Sequence, residues 1–101
     1  MKRTTFSILF FIKRAKLLKT GEAPIYLRIT VDGKCSELSL NRSVKPNMWD
    51  TPRNKVKGKS EEAEELNGYL TSARGLIFQH QQRMREDGKV LTHQALRNAF
   101  L

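Results

Sequence analysis

Cysteine is nearly absent from this sequence: Cys35 is the single one in 101 residues. No internal disulfide can form, so the fold must rest on its apolar core, and the lone thiol fits a reducing cytoplasm. Long hydrophobic runs are missing as well. The stretch 8–12, ILFFI, falls far short of the roughly 20 residues of a membrane span. It also lacks the small-residue cleavage site of a secretory signal, despite Lys2 and Arg3 ahead of it. There is no internal repeat and no low-complexity tract. A chain of this length supports one small domain with one modest core.

The groupings that carry chemistry are missing too. His80 and His93 stand thirteen residues apart, with no cysteine or carboxylate at ligand spacing, so no zinc site is implied. Cys35 has no His–Asp partnership that would make it a nucleophile. Gly58-Lys59-Ser60 matches the end of a phosphate-binding P-loop, but Arg53 occupies the position of the first glycine and no strand feeds the motif. The acids between Glu61 and Glu65 suit the start of a helix. The residues imply no catalysis, no metal and no cofactor.

Acid is scarce in one half of the chain. Residues 1–59 hold fourteen Lys/Arg against Glu22, Asp32, Glu37 and Asp50, leaving +10. Residues 60–101 hold five Lys/Arg and six Asp/Glu, leaving −1. Surfaces built only for solubility mix the two signs. The segregated charge, the net +9 and the pI near 10.1 favour a polyanionic partner.

What is present is clear alternation. Residues 4–12 read as a strand, with Phe6, Ile8, Phe10 and Ile12 on one face and Ser7, Leu9, Phe11 and Lys13 on the other. A basic loop follows over 14–23. Residues 24–31 form a second strand with Ile25, Leu27, Ile29 and Val31 inward, and Pro24 suits its first position. Asp32-Gly33 predicts a type I′ hairpin turn, with residues 34–40 as the third strand. A two-residue loop pairs Val31 with Lys34, Ile29 with Ser36, Leu27 with Leu38 and Ile25 with Leu40. Val44, Met48 and Trp49 cover a core edge, which makes Trp49 structural. Residues 51–60, TPRNKVKGKS, carry no acid and read as a mobile cationic loop.

Ser60 begins a helix as its N-cap. Ala63, Leu66, Leu70, Ala73, Ile77 and Met84 form its stripe, widened by Tyr69 and Leu76, with His80 on the flank. Gly88 ends it near Asp87. Gly68 and Gly75, seven apart, predict close approach by another backbone. Thr92 caps a second helix through Ala95, Leu96, Ala99 and Phe100, whose apolar stripe is left unmatched, as if cut from a longer chain. The expected fold is α+β: a three-stranded antiparallel β-sheet packed on one face by a long C-terminal α-helix, with the start of a second helix.

The helix covers one face of the sheet. The other face shows Lys13, Tyr26, Arg28, Thr30, Glu37 and Ser39, with Phe11 beside them. Strands enter a DNA major groove, where Arg reads guanine and Thr meets the thymine methyl. Around that face stand Lys2, Arg3, Arg14, Lys16, Lys19 and Lys34 as phosphate-binding cations, joined by Arg53, Lys55, Lys57 and Lys59.

The order TFSILFFIKR, PIYLRITVDGK, a turn with MWD, then KGKSEEAEELNGYL and DGKVLTHQALRNAF resembles one family. It is the N-terminal arm-type DNA-binding domain of tyrosine recombinases (phage-integrase family) from Bacteroides-type mobile elements. The resemblance spans nearly the whole chain, and Trp49-Asp50 followed by the basic GKS is its most specific part. It implies a sheet lying in the major groove of arm-type sites, similar to the arm-binding domains of lambda-type integrases. It also implies a parent that continues into a helical core-binding domain and a catalytic domain with a tyrosine nucleophile. Tyr26 and Tyr69 do not match that catalytic motif. On this reading residues 1–88 are the arm-type DNA-binding domain, and 89–101 are a linker and the start of the core-binding domain. The expected setting is a bacterial cytoplasm, on the nucleoid. The expected partners are double-stranded DNA and other recombinase protomers, without a membrane. Glu37 departs from a phosphate-seeking face; it either accepts from cytosine N4 or neutralises Arg28 across the hairpin. The rival functions are an RNA-binding module and a helix-mediated protein-interaction domain.

Overall fold

The computed structural model describes residues 5–88 and 91–100. Three strands, β1 (Phe6–Ile12), β2 (Ala23–Val31) and β3 (Lys34–Val44), form an antiparallel sheet in the order β1-β2-β3. The Asp32-Gly33 turn has φ of 51° and 80°, the two positive values that a type I′ turn requires. The same turn is tied to the start of β1. The Asp32 carboxylate accepts from the Thr5 N–H at 2.9 Å, and the Asp32 N–H donates to the Thr5 carbonyl at 3.0 Å.

The register follows the expectation at Val31–Lys34, Ile29–Ser36 and Leu27–Leu38, but Ile25 does not pair with Leu40. Pairing passes from Tyr26–Ser39 directly to Pro24–Ser43, so Leu40, Asn41 and Arg42 stand opposite Ile25 alone. Asn41 sits at φ 57°, a left-handed conformation that asparagine tolerates. This bulge bends β3 and lets it run on to Val44 while Leu40 and Val44 both stay buried.

Two helices cover the core face. In α1 (Glu61–Glu86) the Ser60 hydroxyl accepts from the Ala63 N–H at 3.1 Å, and Ala63, Leu70, Ala73 and Ile77 are buried. Tyr69 packs at the core margin and donates from its hydroxyl to the Leu40 carbonyl at 3.5 Å. Leu76 does not widen the stripe: it is 41% exposed. Phe78 instead meets Phe6 edge to face at 5.2 Å between ring centroids. Gly68 and Gly75 face open space, and no backbone approaches either. In α2 (His93–Phe100) Thr92 caps through the Ala95 N–H at 3.0 Å. Its stripe is not left unmatched. Leu96 is fully buried in the sheet core, Leu91 and Phe100 pack beside it, and His93 Nδ1 is hydrogen-bonded to the Ser36 hydroxyl.

The basic segment after Trp49 is a hairpin rather than a mobile loop. β4 (Trp49–Asp50) pairs with β5 (Lys55–Val56), and Trp49 and Val56 are both buried. Two asparagine amides fasten it. Asn54 accepts from the Phe10 N–H at 2.8 Å and donates to the Phe10 carbonyl, copying one step of a β-ladder at the edge of β1. Asn67 on α1 does the same to Val56, at 2.8 and 3.0 Å. Sheet, hairpin and helix are thereby linked through side chains that imitate peptide groups.

Two stability measurements test this arrangement. Trp49→Ala removes a buried ring and is expected to cost roughly 3–5 kcal/mol in denaturant unfolding; an unchanged midpoint rules out a structural Trp49. Asn54→Gly keeps a residue suited to φ 58° but deletes the amide. A loss of about 1–3 kcal/mol is expected, and a melting curve matching the parent shows that the edge pairing contributes nothing.

Candidate nucleic-acid interface

Because cross-strand partners share a face, the register orders the second face into rows. Phe11, Tyr26 and Ser39 form one row; Leu9, Arg28 and Glu37 form the next; Ser7, Thr30 and Cys35 form the third. Lys13 lies just beyond the end of β1 and reaches back over the first row. The six residues expected to read bases therefore do stand together on this face. Leu9, 43% exposed and directly opposite Arg28, belongs with them. The alternation of β1 already placed it there.

The face is held by a connected set of contacts. Arg28 Nε and Nη2 both donate to Glu37 Oε2, at 2.9 and 2.7 Å. Lys13 Nζ lies 3.5 Å from the other carboxylate oxygen. The Arg28 guanidinium stands 4.9 Å over the Phe11 ring, and Lys13 Nζ stands 4.0 Å over Tyr26. The Phe11 and Tyr26 rings are 5.9 Å apart. Two cations and one anion leave a single net positive charge. Of the two roles open to Glu37, the geometry shows the pairing with Arg28. The hydrogen bond from Arg28, then the charges of Arg28 and Lys13, hold the Glu37 carboxyl below the ordinary carboxylate value, against partial desolvation.

The cations expected to bind phosphate surround this face without forming one patch. Lys2 and Arg3 lie outside the described residues. Arg14 and Lys16 form a 3₁₀ turn (Arg14–Lys16) between β1 and β2, with Lys19 in the loop beyond, all exposed. Arg14 donates to the Pro46 carbonyl at 3.3 Å. Lys34 opens β3 at the other end of the sheet. Arg53, Lys55, Lys57 and Lys59 are exposed on and after the hairpin, and Arg53 lies 3.8 Å from Asp50. Two further arginines escaped the sequence reading: Arg42, 4.5 Å over the Tyr69 ring, and Arg74, 5.5 Å from the Phe10 ring. Arg74 lies in the half of the chain without a basic excess, so the charge asymmetry does not mark it.

Among the described residues no three His, Cys, Asp or Glu side chains converge to hold a metal, and no helix is long and apolar enough to cross a membrane.

The Glu37 contacts make a titration prediction. A carboxyl whose folded pKa is lowered contributes stability above its unfolded value and loses it as pH falls through the folded value. For Glu37 that loss falls below the ordinary value of 4.5. Carbon-detected NMR titration is expected to show Glu37 titrating below that value in the parent and rising towards it in Arg28→Ala. Identical curves would mean that the pair does not form in solution.

A model of the arm DNA-binding domain matches residues 10–97, nearly the whole chain. No curated protein and no solved structure matches it. The match takes in the sheet from Phe10 onward, the asparagine-fastened hairpin, α1 and the start of α2. The chain thus belongs to the arm DNA-binding domain family, non-catalytic DNA-binding modules found in phage integrase-type recombinases.

Proposed function

We propose that this domain places a site-specific tyrosine recombinase on arm-type sites in duplex DNA, for integration or excision, with the second sheet face in the major groove. The observation that carries this reading is the fixed Arg28. Guanidinium has five N–H donors in a planar fork. Glu37 takes one from Nε and one from Nη2, which leaves both Nη1 protons and the other Nη2 proton for a further partner on a side chain that is 40% exposed. Nη1 and Nη2 are the pair of donors that meets guanine O6 and N7 end-on. Glu37 positions Arg28, Phe11 supports it from below, and Tyr26, Thr30 and Ser39 fill the adjoining rows. Lys13 stays with the reading face, over Tyr26 and beside Glu37, while Arg14, Lys16, Lys19 and Lys34 at the two ends of the sheet serve the phosphates, and so do the hairpin cations. The parent acts on the bacterial nucleoid, alongside other protomers on neighbouring sites.

The two rival readings have less support. Single-strand RNA readers offer bare aromatic platforms, whereas Phe11 and Tyr26 each have a cation over the ring. A helix-stripe interaction domain needs an available stripe, whereas Ala63, Leu70, Ala73 and Ile77 are spent in the core.

Binding to mixed duplex should weaken steeply with salt. With ~5 phosphate contacts, log K against log salt has a slope near −4 to −5, and a slope near zero removes the electrostatic basis. Arg28→Ala is expected to cost about 1–3 kcal/mol on the preferred site and much less on random duplex. Equal losses on both would make Arg28 a phosphate contact. Glu37→Gln should strengthen binding to random duplex by removing an anion while narrowing the preference for the specific site. A preference that survives unchanged shows that Glu37 does not position Arg28.

A further inference from the structure

Arg53 and Lys55 on the hairpin and Arg74 on α1 line one open depression at the free edge of β1. The buried Phe10 and Leu70 line it too, and so does Thr71. No acid lines it. Asp50, 3.8 Å from Arg53, is not among the lining residues. Residues one helical turn from Arg74 are Leu70, Thr71, Ile77 and Phe78, so α1 supplies no acid to pair with it either. The Phe10 ring, 5.5 Å away, keeps the guanidinium close to the depression. The parts are held in fixed relation, because the two asparagine amides fasten the hairpin to β1 on one side and to α1 on the other.

We infer that this depression seats a backbone phosphate of the bound duplex, with Arg74 as the third cation of the seat. The inference rests on the sheet-in-groove reading. Strands lie about 4.8 Å apart, so the outer two of three are separated by roughly 10 Å. The major groove is about 12 Å wide. A three-stranded sheet that enters it, strands along the groove, has one phosphate row beyond each outer strand. The row beyond β1 meets the hairpin and α1, where these three cations stand. A phosphodiester there finds two guanidiniums, an ammonium and a hydroxyl on a rigid frame. The contact is indifferent to base sequence and fixes which flank of the domain a DNA strand must pass.

The test compares Arg74→Gln with Arg83→Gln, an exposed arginine on the same helix that does not line the depression. Both are titrated over a salt series with the preferred-site duplex and with a mixed-sequence duplex. Arg74→Gln should lower affinity by the same factor on specific and random duplex and make the salt slope shallower by about 1, while Arg83→Gln leaves both unchanged. Arg74→Lys keeps the charge and should restore the slope. If the slope stays reduced in Arg74→Lys, Arg74 acts through packing on Phe10 and the phosphate seat is wrong. If Arg74→Gln binds like the parent while Arg28→Ala loses the specific site, the seat falls and the face reading stands. If neither change affects binding, both fall.

Discussion

The domain depends on β2 serving two environments at once. Along its nine residues every odd position is buried and every even one half-buried. Ile25, Leu27 and Ile29 are fully buried beneath the helices, and Tyr26, Arg28 and Thr30 between them face outward. A slip of one residue would exchange the two sets, putting Arg28 in the core and three aliphatic side chains in water. The Asp32-Gly33 turn prevents that slip, because its two positive φ values fit a two-residue loop and no other register. The carboxylate of the same Asp32 also holds the start of β1. One dipeptide thus sets the alignment of the three strands and the composition of the outward face.

Most of this was legible in the sequence because it is periodic or local. The alternation, the DG turn, the Ser60 cap and the buried Trp49 each depend on residues close together in the chain. The parts that were not legible depend on side chains acting at long range. Nothing in NKVKGKS announces that Asn54 will pair with Phe10, forty-four residues away, so the segment read as a mobile loop. The bulge at Asn41 escaped because a non-glycine residue adopts the left-handed conformation. The partners of Leu96 are not legible in its own neighbourhood because its contacts lie on strands far back in the chain. The outward face itself was legible, whereas its internal wiring was not. The pairing of Arg28 with Glu37 was one of two options until their geometry was known.

That pairing also explains how an acid is tolerated on the face proposed to meet DNA. Glu37 has cations on both carboxylate oxygens, so its charge is answered locally and the face remains positive. An exposed arginine samples many rotamers, and ordering it on binding costs free energy. An arginine already held at Nε and Nη2 and stacked on Phe11 has lost much of that freedom before DNA arrives. On the proposed reading, the acid gives up some general attraction for phosphate in return for a defined donor direction, and the lysines and arginines at the sheet ends and on the hairpin supply that attraction separately.

A domain with one uncovered sheet face must also keep its sheet edges from pairing with other chains. The two edges are treated differently. On β3 the bulge opposite Ile25, in the ladder with β2, bends the strand and its outer edge, and Lys34 and Arg42 place charge along it. On β1 the Asn54 amide occupies the N–H and carbonyl of Phe10, so an incoming strand finds that step already taken. The residue that blocks strand addition sits between Arg53 and Lys55. Protection of the edge and placement of cations beside it are therefore one structural device, and the hairpin cannot be loosened to alter one without disturbing the other.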